Sequence, residues 1–171
     1  KIKNYLFLRG VNQCIGNHPV TILNIKKINN KFHSRFDAKK RTYQYVIINR
    51  QSPLALQKNK AWHIRKKLDL NAMKKGAKLL LGTHDFSTFR ASSCGAKSPI
   101  KTLNKVSIKK NKERIILKFT SKSFLQQQVR SMVGCLKYLA EGKWKLDNFK
   151  NSFKSKKRSS CAPPAPPCGL Y

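Results

Sequence analysis

Charge constrains this chain more than any other feature: 38 Lys and Arg side chains stand against 6 carboxylates in 171 residues, a net charge of +32. A chain so basic must meet a polyanion or tolerate strong self-repulsion. Nucleic acid is the commonest such partner, and an anionic membrane surface is the lesser option. Charge of this size also favours disorder, but 40% of the residues are hydrophobic, enough apolar material for a core. The length suits one domain spanning residues 1–171, and a domain of this size buries about two-thirds of its unfolded surface. No uninterrupted apolar run is longer than the four residues of Tyr5-Leu6-Phe7-Leu8, whereas a membrane span needs about 20 such residues. No bilayer-crossing segment is expected, and no signal-peptide pattern leads the chain. The cysteines, Cys14, Cys94, Cys135, Cys161 and Cys168, are odd in number and contain no Cys-x-x-Cys pair. This argues against a zinc site and a disulfide framework, and for reduced thiols in a cytoplasmic protein.

Periodicity and turn residues predict the elements. A loop holding Gly10, Gly16 and Pro19 precedes residues 20–28 (VTILNIKKI), whose β-rich composition predicts a strand. Residues 41–48 (RTYQYVII) predict a second, which puts Arg41, Tyr43, Tyr45 and Ile47 on one face. Asp69 is placed to cap a helix running to Leu81, with Gly82 as its stop. Residues 84–99 (HDFSTFRASSCGAKSP) are small, polar and irregular, and predict an ordered loop. Residues 101–109 and 114–120 predict an antiparallel hairpin. Residues 124–141 predict a long helix with a stripe from Leu125 to Ala140, Arg130 at its border and room above Gly134. A short helix over 145–153, a basic run over 154–158 and an extended proline-rich stretch over 162–167 complete the chain. Strands and helices mix without a βαβ beat. The expected class is therefore α+β, a mixed and mainly antiparallel sheet backed by helices.

No phosphate-binding glycine loop, zinc signature or nucleophile elbow is present. Two readings of the Arg41/Tyr43/Tyr45 face stand side by side. It can stack an unpaired base and neutralise its phosphate, or simply pack half-buried strand aromatics. Arg130 is open in the same way, either as a binding cation or as a helix-border arginine whose stem covers apolar surface. His33, His63 and His84 have no metal-ligand spacing, and Asp85 reads most simply as a loop residue bonding its own backbone.

Five segments then fall into a recognisable order: Phe32-His33-Ser34-Arg35-Phe36; Arg41-Thr42-Tyr43-Gln44-Tyr45; Gly82-Thr83-His84-Asp85-Phe86-Ser87-Thr88-Phe89-Arg90; Phe124-Leu125 leading to Val129-Arg130-Ser131-Met132-Val133-Gly134; and Ala162-Pro163-Pro164 before Gly169-Leu170-Tyr171. In order and spacing they resemble the C-terminal part of the tRNA pseudouridine synthase A family. The resemblance implies a cofactor-free, metal-free isomerase that turns uridines of the tRNA anticodon stem-loop into pseudouridine and works as a homodimer. In that family an aspartate attacks the nucleotide, a tyrosine lies against the base and an arginine pairs with the aspartate. The tyrosine carries over to Tyr43 and the arginine to Arg130. Arg41, His33, Arg35, Arg90 and Leu170 carry over as substrate-binding positions.

The family's aspartate lies in a Gly-Arg-Thr-Asp-Ala-Gly-Val-His stretch upstream of all these motifs. No such stretch surrounds Asp37, Asp69, Asp85, Glu113, Glu141 or Asp147. The chain, which starts at Lys1, is accordingly expected to be a fragment without the nucleophile. The alternative is a non-catalytic, basic RNA-binding remnant of such an enzyme.

Overall fold

The computed structural model describes residues 3–171. Two compact units divide the chain, the first ending at Ala38 and the second comprising Lys39–Tyr171.

In the first unit, α1 (Asn4–Ile15) occupies part of the stretch expected to be a loop. The reason was present in the sequence: Phe7, Val11, Cys14 and Ile15 recur at helical spacing, and this outweighs the roughly 1 kcal/mol cost of Gly10 inside a helix. The strand expected over 20–28 does not form. The backbone of Ile22 is held by a side chain instead, donating to Asn12 Oδ1 at 2.8 Å while its carbonyl accepts from Asn12 Nδ2 at 2.8 Å. Val20, Leu23 and Ile28 remain exposed.

The second unit is a five-stranded sheet with helices packed against it. Its strands are β1 (Arg41–Asn49), β2 (Trp62–Ile64), β3 (Gly82–Asp85), β4 (Ile100–Asn111) and β5 (Arg114–Ser121), in the order β2-β1-β5-β4-β3. Only β1 and β2 pair in parallel, so the mixed, mainly antiparallel sheet matches expectation. The hairpin turn is tighter than its sequence suggests, because pairing continues to Asn111 opposite Arg114 and Lys112, at φ 51°, carries the reversal. The expected loop over 84–99 begins in β3, whose Thr83 hydroxyl meets that of Thr102 on β4 at 2.8 Å, and continues into a 3-10 turn at Ser87–Phe89. Polar residues disguise β3 because it is an edge strand.

The helices are α2 (Leu70–Lys78), α3 (Gln128–Ala140) and α4 (Leu146–Lys154). Asp69 caps α2 by accepting from the Asn71 and Ala72 amides, and the helix tightens into i→i+3 turns as far as Leu81. The helix α3 starts later than residue 124. Gln126 gives its carbonyl to the Ala91 amide, Gln127 takes φ 61°, and the Gln128 side chain accepts from the Leu125 amide at 2.8 Å, so this stretch is wound into a local turn. Ten of the thirteen residues of α3 are buried; it is the central helix of the core, with apolar contacts on most of its surface. Tyr45, Ile47, Leu117, Phe119, Met132 and Leu136 share that core, each buried apolar side chain contributing about 1.5–3 kcal/mol. No helix among the described residues is long and apolar enough to cross a membrane.

Candidate active site

The site is built where β1, α3 and the C-terminal strap of residues 161–171 meet. The strap is extended because four of the five residues at 163–167 are proline, and proline has no amide hydrogen to give a helix or ladder. Ala165 is the one donor in that stretch. Its amide goes to the Arg130 carbonyl at 2.9 Å, and its own carbonyl accepts from Arg130 Nε at 2.7 Å. This reciprocal clasp fixes the arginine at the border of α3. Prolines leave their carbonyls available, and the Pro166 carbonyl accepts from the Tyr45 hydroxyl at 2.7 Å. The strap then joins β1 directly: Gln44 and Tyr171 exchange backbone hydrogen bonds at 2.7 Å each, Leu170 bridges to Tyr45, and the Tyr171 hydroxyl reaches the Lys60 carbonyl at 2.7 Å.

Two glycines make this approach possible. A Cβ on Gly134 would run into the Pro163 carbonyl, so the space expected above Gly134 is occupied by the strap. A Cβ on Gly169 would lie 2.6 Å from the Val46 carbonyl oxygen and 2.9 Å from the Tyr45 ring.

Tyr43 and Tyr45 share one strand face, roughly 7 Å apart along β1, but their environments differ. Tyr45 is fully buried. Burial pushes its phenol well above the usual range and Cys168 adds to this, while the Arg130 guanidinium works the other way. Tyr43 is half-buried at the rim, edge-on to Phe124 with ring centroids 5.2 Å apart. Among the described residues nothing hydrogen-bonds to its hydroxyl, and the Arg130 Nη nitrogens are likewise not hydrogen-bonded. A phenol on β1 and the outer edge of a guanidinium on α3 are thus left over after the protein's own bonds are made. A guanidinium edge of this kind suits bidentate pairing with a carboxylate or phosphate.

The remaining candidates separate into three groups. Leu170 belongs to this site through its bridge to β1. Arg41, at the start of β1, donates to the Lys122 carbonyl at 2.6 Å. Arg90 instead braces its own loop, with Nη2 bonded to the carbonyls of Cys94 and Ala96. His33 and Arg35 lie exposed in the first unit, where the His33 ring packs on Phe36 at 4.3 Å. Sequence reasoning passed over Ala165 and Pro166 as builders of the site, although a single non-proline residue in a proline run marks the one backbone donor available there; Tyr45, expected on a base-stacking face, is instead buried and anchors the strap.

All six carboxylates have structural partners. Asp37 accepts from the His33 amide, Asp69 caps α2, and Asp85 accepts from the Ser87 amide. Glu113 pairs with Arg50 at 2.7 Å, Glu141 with Lys137 at 2.8 Å, and Asp147 with Lys150 at 3.3 Å. None is bonded to Tyr43 or Arg130. Among the described residues no group of three or more His, Cys, Asp or Glu can hold a metal ion.

The site thus combines a mixed sheet carrying a tyrosine at its rim with an arginine that a proline strap fixes at the border of α3. Sequence comparison places it: residues 77–171 match the model of the tRNA pseudouridine synthase family, and the chain belongs to that family. A relative from Pelagibacter ubique, called tRNA pseudouridine synthase A, is 59% identical over 164 residues, covering 96% of this chain and 67% of the relative. Proteins of the same name from Xanthobacter autotrophicus and Rhodospirillum centenum are 46% and 44% identical over 154 residues, covering 90% of this chain and 63% of each relative. The chain thus spans about two-thirds of the length of the curated relatives it matches.

Proposed function

We propose that this chain is the C-terminal portion of a tRNA pseudouridine synthase, both compact units included, which isomerises uridine to pseudouridine in the tRNA anticodon stem-loop. The enzyme is cytoplasmic, needs no cofactor and works as a homodimer. The observation that carries the reading is the Arg130 fork that Ala165 fixes at the border of α3, with the Tyr43 hydroxyl left unbonded on β1. Tyr43 packs against the base and takes or relays the C5 proton. Arg130 holds the attacking aspartate ionised. Arg41, His33, Arg35, Arg90 and Leu170 contact the RNA or its base. The attacking carboxylate is not one of the six in this chain, each of which already has a structural partner.

The test has two arms. Tritium release from C5-labelled tRNA should show no turnover by the 171-residue chain alone, because covalent catalysis is not recovered by positioning once its nucleophile is gone. Joined to a family member's aspartate-bearing segment, the chain should turn over. Tyr43→Phe should then lower the single-turnover rate about 100-fold with tRNA affinity nearly unchanged. Arg130→Ala leaves the aspartate without its cation, which raises its pKa, so that defect should shrink as pH rises. Wild-type rates in either variant would return that residue to strand or helix packing.

The lack of a spare carboxylate also supports a second reading, a basic RNA-binding remnant. Both readings require tRNA binding dominated by phosphates, with log affinity falling by about 0.7–0.9 per contact against log salt. If the joined protein binds with that slope and never turns over, the second reading holds.

A further inference from the structure

Cys135 and Cys161 are brought together from positions 26 residues apart, their sulfurs 3.4 Å from one another. Both thiols are free. Cys135 is fully buried on the inner side of α3, whereas Cys161 is only partly buried, at the start of the strap. Arg158 lies against the pair and donates from Nη1 to the Ser131 hydroxyl at 2.8 Å, one helical turn before Cys135. The two sulfurs therefore differ in access and in charge environment. Four residues after Cys161 comes Ala165, which clasps Arg130.

We propose that Cys135 and Cys161 are a redox-active dithiol, oxidised by hydroperoxides to a reversible disulfide that ties the strap to α3 next to the Arg130 clasp. Cys161 is the attacking sulfur. The hydrogen bond from Cys135 lowers its thiol pKa against the opposing effect of burial, and Arg158 and Ser131 lower it further. Cys135 is held protonated by that same hydrogen bond and by burial. The Cys161 thiolate attacks a peroxide oxygen, the O–O bond breaks, and hydroxide leaves and is protonated to water. The resulting sulfenic acid is then attacked by Cys135: the S–O bond breaks, the S–S bond forms, and a second water leaves with the Cys135 proton. Two thiols give up two electrons and one hydrogen peroxide becomes two waters. The sulfurs must close from 3.4 Å to about 2 Å, a movement within the reach of side-chain rotation and a small shift of the strap.

The experiment uses the intact chain and equimolar hydrogen peroxide. It is followed by denaturation, alkylation with N-ethylmaleimide and digestion without reductant. The expected result is a linked Cys135–Cys161 peptide, loss of both thiols together, their recovery with dithiothreitol, and continued alkylation of exposed Cys14. In Cys135→Ser, dimedone should trap Cys161 as its sulfenic acid; in Cys161→Ser, Cys135 should stay reduced. If Cys14 is consumed first, or if Cys135 and Cys161 remain alkylatable in the wild-type chain, the proposal is overturned. The wild-type result decides even where a variant does not fold.

Discussion

Residues 20–28 and 41–48 have similar β-forming compositions and opposite fates. The second segment lies in β1, flanked by β5 along its whole length and by β2 at its end, so its amides and carbonyls are paired and Val46, Ile47 and Ile48 are buried. The first is held by the Asn12 side chain and leaves Leu23 86% exposed. β-propensity is a statement about how well a side chain suits a pleated, half-buried surface. Without a neighbouring strand to create that surface, the same residue types give an extended segment whose backbone turns to local partners or water.

Leucine truncation breaks the comparison most sharply. Leu117→Ala, at a fully buried position of β5, should cost about 2–5 kcal/mol. Leu23→Ala should change stability by less than about 0.5 kcal/mol. Urea unfolding of both variants measures the difference, and similar losses would mean that residues 20–28 are packed.

Glycine substitutions sharpen it at the next level. Gly134→Ala must push the Pro163 carbonyl aside and should destabilise by about 1–3 kcal/mol, as overpacking does. Gly10→Ala meets nothing within 4 Å and should stabilise α1 by about 1 kcal/mol. Thermal unfolding reads the first effect and amide-exchange protection of residues 4–15 the second.

Capping gives the smallest effect. Asp69→Ala removes the acceptor for two α2 amides and should cost about 1 kcal/mol. The N-cap of α1 is Lys3, which makes no side-chain capping bond, so Lys3→Ser should add about 0.5–1 kcal/mol of helix stability. Circular dichroism through thermal unfolding, with exchange at residues 4–15, separates the two.

The parts of the site that were legible are those whose local pattern and tertiary role coincide. Arg-x-Tyr-x-Tyr reads as a strand and is one. Arg130 reads as a helix-border residue, and the structure finds it half-buried at that border. The failures have a common cause. The start of α3, the polar edge strand β3 and the space above Gly134 were each settled by a segment distant in sequence: Ala91 and Cys94 for the first, β4 for the second and the proline strap for the third.

The sequence by itself determined the charge, the α+β class, the central strand, the capped helix α2, and the family motifs that include Tyr43 and Arg130. These depend on composition and short-range periodicity, which need no partner to be read. Only the tertiary structure decided which of two tyrosines on one face has an unbonded hydroxyl, since that turns on whether the Pro166 carbonyl arrives from 121 residues away. It likewise decided that Arg130 is clasped by Ala165 and that Cys135 meets Cys161. Hydrogen bonds between distant segments depend on where the whole chain places its backbone, and no local pattern encodes that.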